Sequence, residues 1–141
     1  MLTTEQQLAV IDFQDMVLGP ACYDVVSLLR DCYISLTPAQ VEQLLLEYQQ
    51  LMAPTQPQIA ALSWPELKQY FDWIGLQRHL KVCGIFCRLY YRDGKAGYLA
   101  DLPRVLNYIV QVAQQYRQLQ PLSHWLQQQV LPVMTEVETN D

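Results

Sequence analysis

The 141-residue sequence has only five glycines, and they do not form the Gly-rich loop with which many nucleotide-binding proteins hold phosphate. It has no apolar run long enough to cross a membrane, and no basic N-terminus followed by an apolar stretch, so we expect neither a membrane span nor a signal peptide. None of the four cysteines stands in Cys-x-x-Cys spacing with another. We therefore predict reduced, buried thiols in a cytoplasmic protein, not a metal site built from cysteines.

Basic residues are also scarce, with nine Lys and Arg against fourteen Asp and Glu, and the net charge of −5 argues against general nucleic-acid binding. Eight of the nine basic residues lie between Lys68 and Arg117. A locally basic segment in an acidic protein indicates an anionic ligand or partner on that face, although solvated helix charges are the commoner explanation.

The N-terminal segment combines a short apolar run with two carboxylates. Residues 8–13 are rich in β-branched and apolar side chains and contain Asp12, and Asp15 follows three residues later. The pattern predicts a β-hairpin within residues 1–20, in which one strand carries Asp12 at its C-terminal end. Carboxylates held at the edge of a core are typical Mg²⁺ ligands, whereas an Asp after a strand is more often a turn former or a helix cap.

Helical periodicity dominates the rest of the chain, so we predict a mainly α fold in a single domain, with a helical lobe over residues 21–134 and a frayed polar tail from residue 135. Capping signals and proline positions set the predicted bounds. The first predicted helix runs from about Tyr23 to Cys32, and the second from Pro38, after the cap Thr37, to Met52. The third runs from the Ser63–Glu66 capping box to about Arg92, with a break or bend near Gly75. The fourth runs from the cap Asp101 to about Tyr116, and the last follows Ser123 on Trp125, Leu126 and Val130.

The long helix after Ser63 has two predicted faces at 100° per residue. The apolar face contains Leu76, Leu80, Cys83, Cys87 and Tyr90, flanked by Val82, Phe86 and Leu89. The opposite polar stripe contains Gln77, Lys81, Gly84, Arg88 and Arg92. Gly84 leaves a gap in this stripe where a ligand or another backbone has room to approach. His79 falls within the apolar arc, which favours a hydrogen-bonded core histidine over a catalytic one.

Two blocks of sequence resemble one enzyme family. Ile11-Asp12-Phe13-Gln14-Asp15, Leu18-Gly19-Pro20 and Tyr23-Asp24 through Arg30-Asp31 are similar to the aminoglycoside phosphotransferase family, and within it to the kinases of bacterial cell-wall recycling that phosphorylate N-acetylmuramate and N-acetylglucosamine. Gly75 to Lys95 and Tyr98 to Leu106 resemble the helical C-terminal lobe of the same kinases. The resemblance covers roughly residues 1 to 117 and implies the C-terminal part of a protein-kinase-like fold.

The resemblance also implies roles for particular residues. It makes Asp12 the ligand of a Mg²⁺ ion on the phosphates of ATP, with Asp15 as a candidate second ligand, and it makes Asp24 a support of the active-site loops. The basic segment suits a neutral or anionic amino sugar, because Arg and Lys can bind the lactyl carboxylate of muramate. The candidate substrate residues are Gln77, Arg78, Lys81, Arg88 and Arg92, and for each one a solvated or ion-paired helix side chain is an equal alternative.

In these kinases the catalytic Asp and a metal-binding Asn precede the position that matches Met1, so we expect no catalytic base in this chain and no turnover by the chain alone. The expected partners are an amino-sugar substrate and either a complementary N-terminal lobe or a second copy of the chain. The alternative function is a non-enzymatic helical interaction module, or a truncated gene fragment, that self-associates through apolar surface left exposed by the missing half.

Overall fold

The structure is a computed structural model that describes residues 18–138, with side chains described as far as Met134. This part of the chain is almost entirely helical and contains no strand, so the predicted mainly α fold class is confirmed. The predicted hairpin lies outside the described residues except for positions 18–20, and Asp12 and Asp15 lie outside them as well.

The described residues form a succession of α-helices linked by short turns. Two 3₁₀ helices, at Ala96–Asp101 and Arg117–Leu119, flank the fifth α-helix, and a π-helical turn at Leu126–Val130 joins the last two. The α-helices are α1 (Tyr23–Leu29), α2 (Pro38–Met52), α3 (Pro57–Ala60), α4 (Trp64–Asp93), α5 (Leu102–Gln115), α6 (Gln120–Trp125) and α7 (Leu131–Glu138). None of the described helices has the length and apolarity needed to cross a membrane.

The predicted cap Thr37 and the predicted capping box at Ser63 set the starts of α2 and α4, and the structure shows a capping box at both. The Gln40 side chain accepts a hydrogen bond from the Thr37 amide at 2.9 Å, and the Thr37 hydroxyl accepts one from the Gln40 amide at 3.3 Å. At α4 the Glu66 carboxylate accepts from the Ser63 amide at 2.8 Å. These contacts satisfy amides that have no partner within the helix, so both predicted starts are confirmed.

Helix α4 is the organising element, with 30 residues and a length of about 45 Å. It passes Gly75 without the predicted break. A Cβ atom on Gly75 would lie 3.5 Å from Val26 Cγ1, so the glycine lies where α1 packs closely against α4. The helix ends at Gly94, whose φ of 65° is left-handed, with the Gly94 amide bonded to the Tyr90 carbonyl.

Two hydrophobic clusters share α4. The N-terminal half of the helix packs with α1, α2 and α3, and the C-terminal half packs with α5 and the helical segment after it. The first cluster contains Cys22, Val25, Val26, Leu29, Val41, Leu45, Ile59, Leu67 and Phe71, and the second contains Cys32, Leu76, Phe86, Leu102, Val105, Leu106, Ile109, Val110, Val112 and Leu126.

The predicted apolar face of α4 is wrong in part. Leu80 and Tyr90 are 43% and 39% exposed, whereas Leu76, the flanking Phe86 and His79 are buried as predicted. The buried face is therefore rotated around the helix toward His79, because α1 and α5 both pack on that side. The prediction at 100° per residue depends on residue type alone and contains no information on where the neighbouring helices lie.

Two other predicted bounds also differ from the structure. Helix α1 ends at Leu29 instead of about Cys32, because the Asp31 carboxylate accepts hydrogen bonds from the Tyr33 and Ile34 amides and turns the chain. In the last helical segment, which was predicted on Trp125, Leu126 and Val130, Leu126 is buried but Trp125 is 54% exposed. Helix α7 ends at Glu138, inside the segment predicted as a tail.

Candidate functional site

A cavity of about 1000 Å³ opens between the start of α1, α3 and the N-terminal half of α4. Pro20, on its rim, stands five positions after Asp15, so the cavity lies close in sequence to the predicted metal ligands. Its lining consists of Pro20, Tyr23, Gln58, Ile59, Leu62, Glu66, Gln69, Tyr70, Trp73, Ile74 and Gln77. We call it the α4 cavity.

The α4 cavity combines aromatic rings with amide side chains. Three lining residues are Tyr or Trp, three are Gln, and none is Lys or Arg. The one lining carboxylate belongs to Glu66. It accepts hydrogen bonds from the Ser63 amide and hydroxyl, and these bonds hold the pKa of Glu66 below its ordinary value. The remaining polar groups are neutral donors and acceptors beside apolar faces, a combination that suits an uncharged polar ligand.

The ring of Trp73, which lines this cavity, is supported by Tyr116. Its ring meets the Tyr116 ring edge to face, with centroids 6.1 Å apart, and 41% of the residue stays exposed. The Tyr116 hydroxyl donates a hydrogen bond of 2.8 Å to the buried Asp72 carboxylate, which also pairs with Lys68. Burial and this hydrogen bond raise the pKa of Tyr116, so its hydroxyl stays protonated and the support for Trp73 persists at neutral pH.

The backbone at Ala21 is fixed by two tyrosines. The Tyr48 hydroxyl of α2 donates to the Ala21 carbonyl at 2.6 Å, and the Ala21 amide donates to the Tyr70 hydroxyl of α4 at 3.2 Å. Burial raises the pKa of Tyr48, which keeps its hydroxyl a donor. The segment that leads into α1 is therefore anchored to both α2 and α4 beside the cavity.

Three of the five candidate substrate residues lie on the exposed stripe of α4 at very different distances from the cavity. Gln77 lines it, and Lys81 is exposed one helical turn further along. Arg88 is exposed about 16 Å beyond Gln77 along the helix axis, at 1.5 Å per residue. The structure thus brings Gln77 and Lys81 within reach of one small ligand but leaves Arg88 outside that reach.

The other two candidates contact protein groups. The Arg78 guanidinium is half-buried and its Nη1 lies 3.8 Å from the Cys32 sulfur, on the side of α4 that packs against α1 and α5. Arg92 forms a two-point pair with Asp93, with distances of 2.6 Å and 2.9 Å. This pairing raises the pKa of Arg92 and lowers the pKa of Asp93.

Asp24 and His79 occupy different environments. Asp24 is exposed in the first turn of α1, where the helix dipole favours a carboxylate, and it makes no hydrogen bond to another described side chain or amide. The loops that it was predicted to support lie outside the described residues. His79 is the predicted core histidine: it is 1% exposed, its Nε2 donates to the Arg30 carbonyl at 2.9 Å, and its ring stacks on Tyr108. Burial lowers the pKa of His79.

Sequence analysis missed most of the cavity wall. Gln69, Tyr70 and Trp73 were assigned no role, although with Glu66 and Gln77 they follow one another at intervals of three, one, three and four. Such spacing places them on a single face of α4. A helical face that mixes glutamine with aromatic residues is neither a core face nor a purely solvated one. This mixture is the feature of the sequence from which the cavity wall could have been predicted.

The described residues do not supply a metal site. In the described part of the chain no three His, Cys, Asp or Glu side chains lie close enough together to hold an ion. The predicted ligands Asp12 and Asp15 are outside it, so no step is assigned to a metal here. All four cysteines are free thiols, and burial raises the pKa of Cys22 and Cys83 to about 11, so these two stay protonated at neutral pH.

The sequence matches one protein-family model and several curated proteins. The model of the phosphotransferase enzyme family matches residues 1–62. The chain is 44% identical over 126 residues to the N-acetylmuramate/N-acetylglucosamine kinase of Neisseria meningitidis, covering 86% of this chain and 36% of that protein. It is 45% identical over 104 residues to the kinase of the same name from Pseudomonas putida, covering 73% and 30%, and 37% identical over 113 residues to that from Pseudomonas aeruginosa, covering 77% and 32%.

The chain therefore spans about a third of the length of the curated relatives it matches. No solved structure gives a significant match. The family match and the identity to the kinases confirm the resemblance that the sequence motifs indicated.

Proposed function

We propose that this chain, a relative of the phosphotransferases it matches, forms the sugar-binding helical lobe of an ATP- and Mg²⁺-dependent kinase that acts on an amino sugar of the N-acetylmuramate or N-acetylglucosamine type. The observation that carries the proposal is the α4 cavity, with its neutral amides, exposed Trp73 and absence of lining Lys or Arg. The names of the relatives supply the substrate class.

The chemistry of an N-acetylated amino sugar matches this lining. The acetamido group carries no charge, and the ring has hydroxyls on its rim and C–H groups on its faces. The exposed ring of Trp73 offers an apolar platform for such a face, and the amides of Gln69 and Gln77 offer donors and acceptors for the rim. The volume of about 1000 Å³ is at the upper end of small-molecule sites, which leaves room for a lactyl substituent.

Lys81 has the position to distinguish the two sugars. It lies four residues after Gln77 on the same face of α4, about 6 Å further along the axis. Its ammonium group has no hydrogen bond or ion pair with another described residue. The lactyl carboxylate of N-acetylmuramate, which N-acetylglucosamine lacks, would gain a charge-assisted hydrogen bond from Lys81.

Phosphoryl transfer depends mainly on positioning and on charge stabilisation, so a sugar lobe contributes by holding the acceptor hydroxyl near the nucleotide phosphates. In this proposal Asp12, with Asp15, would hold a Mg²⁺ ion, which would supply positive charge to those phosphates. Ala21, clamped between Tyr48 and Tyr70, fixes the chain that leads from these carboxylates to the cavity wall. No residue of the chain is assigned as the catalytic base.

Sugar titration tests the proposal. We expect saturable binding of N-acetylglucosamine to the chain by isothermal titration calorimetry, with at least fivefold weaker affinity for Gln77→Ala. The matched control is Gln114→Ala, which removes the same amide from an exposed position on α5 outside the cavity. Lys81→Ala should weaken N-acetylmuramate binding and leave N-acetylglucosamine binding unchanged. Equal affinities for the wild type, Gln77→Ala and Gln114→Ala would contradict the assignment of the cavity.

The interaction-module alternative also has a structural basis. Helix α4 exposes several apolar side chains outside the cavity, among them Leu80, Ile85 and Tyr91 at 43%, 39% and 84%. Sedimentation equilibrium separates the two functions. Concentration-dependent association that Leu80→Glu abolishes, in a chain that binds neither sugar, would favour the interaction module.

A further inference from the structure

A second cavity, of about 610 Å³, lies between the connector after α1, the start of α2 and one side of α5. It shares no lining residue with the α4 cavity. Two arginines line it, Arg30 and Arg104, together with the polar side chains of Ser35, Asn107, Tyr108 and Gln111. No Asp or Glu lines it, although Asp101, just outside the lining, pairs with Arg104.

Arg30 is held in place without an anionic partner. Its guanidinium carbon lies 6.0 Å from the centre of the Phe71 ring and 5.8 Å from that of the Tyr108 ring, so the group is flanked by two aromatic side chains. Its Nε is buried and has no hydrogen-bond partner, and Arg30 forms no ion pair with the described carboxylates. A buried donor without a partner is costly, and an anion beside the guanidinium would offset part of that cost through its charge.

Arg104 supplies a second fixed cation. Its Nη1 donates to the backbone carbonyls of Cys32 and Tyr33 at 2.9 Å and 3.0 Å, and lies 3.3 Å from an Asp101 carboxylate oxygen. Its Nε and Nη2 take part in none of the hydrogen bonds within the described chain, which leaves one edge of the guanidinium free. The same contacts that anchor Arg104 therefore preorganise donors toward the cavity.

Hydroxyl groups complete the donor set. The Tyr108 hydroxyl donates to the Ser35 oxygen at 3.0 Å, which leaves the Ser35 proton available to a further acceptor. Asn107, exposed on the same side of α5, adds an amide.

We infer that this cavity binds a small oxyanion, a phosphate or a carboxylate group, between Arg30 and Arg104. Guanidinium groups bind both oxyanions through paired, charge-assisted hydrogen bonds, and Arg30, which forms no ion pair with a described carboxylate, favours an anion beside it. The inference does not depend on the sugar proposal, because its residues are different.

Binding of inorganic phosphate and of acetate to the full chain tests the inference. We expect saturable shifts of the Asn107 and Tyr108 amide resonances in two-dimensional NMR spectra at millimolar anion, with chloride held constant. Saturation by phosphate alone would identify a phosphate site, and saturation by acetate alone or by both a site that accepts carboxylate. Arg30→Gln should weaken binding at least tenfold. Lack of saturation by either anion would overturn the inference.

A pair of isosteric charge changes keeps the test informative if Arg30→Gln does not fold. Gln111→Glu places a carboxylate on the cavity wall at an exposed position, and Gln128→Glu makes the same change at an exposed position outside it. Repulsion should make the affinity of Gln111→Glu at least fivefold weaker than that of Gln128→Glu. Equal anion affinities for the two variants would overturn the inference.

Discussion

The amide of Ala21 donates a hydrogen bond of 3.2 Å to the hydroxyl of Tyr70, 49 residues away in the sequence. This contact joins the chain that enters α1 to a residue that also lines the α4 cavity. The Tyr48 hydroxyl completes the arrangement by donating to the Ala21 carbonyl. A single backbone residue thereby couples three helices at the candidate site.

Removing the Tyr48 hydroxyl tests this clamp. In Tyr48→Phe the half-buried Ala21 carbonyl loses its partner, so we expect the free energy of unfolding to fall by about 1–2 kcal/mol in urea titrations followed by circular dichroism. Tyr91→Phe is the matched control, because Tyr91 is 84% exposed and its hydroxyl bonds to no described residue. Equal stability of the two variants would mean that the hydrogen bond contributes nothing to the fold.

The Asp72 carboxylate is the most buried charged group of the described chain, at 2% exposure, and it accepts from Lys68 and Tyr116. Asp72→Asn removes the charge and keeps the shape, so we expect a loss of about 1–3 kcal/mol, limited because Lys68 is partly exposed and screened.

Asp93→Asn breaks the solvent-exposed pair with Arg92 and should cost far less. Urea titrations of both variants provide the comparison. A smaller loss for Asp72→Asn than for Asp93→Asn would contradict the role of the buried carboxylate in fixing α5 behind Trp73.

His79 gives the stability a predictable pH dependence. Burial, reinforced by the nearby charges of Arg78 and Arg30, lowers its pKa below the ordinary value of 6.5. The unfolded state therefore binds more protons than the folded state once the pH falls below about 6.5, and stability is lost as the pH falls further toward the folded-state pKa. Above about pH 6.5 the stability that depends on the neutral His79 imidazole is fully present.

Urea unfolding at pH 7.5 and pH 5.5 measures this effect. We expect His79→Gln to lose less stability on acidification than the wild type, whereas His124→Gln, at an exposed position, should follow the wild type. An unchanged pH dependence in His79→Gln would show that the buried imidazole is not the group that responds.

Two glycines, Gly84 within α4 and Gly94 directly after it, should respond to alanine in opposite directions. Gly94 has a left-handed φ of 65°, so Gly94→Ala should destabilise the protein by about 1 kcal/mol. Gly84 lies in the helix interior with no atom within 4 Å of an added Cβ, so Gly84→Ala should stabilise it by about 0.5–1 kcal/mol. Thermal unfolding measures both changes, and a destabilised Gly84→Ala variant would indicate that something unseen packs at that position.

The features that the sequence predicted well are local. Thr37 and Ser63 start their helices through partners three residues away, and Gly94 ends α4 through its own backbone angle, so each boundary is encoded within a few residues. The family resemblance was recognised in the same way, because part of it lies in one short motif, Ile11 to Asp15.

The features that the sequence did not predict depend on contacts between distant residues. The buried face of α4 is set by where α1 and α5 pack, which explains why Leu80, predicted on the apolar face, is exposed. Asp101 illustrates a competing local contact: it occupies the predicted cap position of α5, but its carboxylate pairs with Arg104 and makes no capping hydrogen bond. The wall of the α4 cavity appeared only when α3 and the start of α1 were placed beside Trp73.

The most direct test of the sugar-lobe proposal monitors Trp73 itself. In a Trp64→Phe, Trp125→Phe variant the only tryptophan left is Trp73, whose half-exposed ring lines the α4 cavity. We predict a saturable change in its fluorescence on titration with N-acetylglucosamine and with N-acetylmuramate, and no change with an equally concentrated sugar alcohol that lacks a ring. Fluorescence that stays constant with both amino sugars, in a variant that circular dichroism shows to be folded, would contradict the proposal.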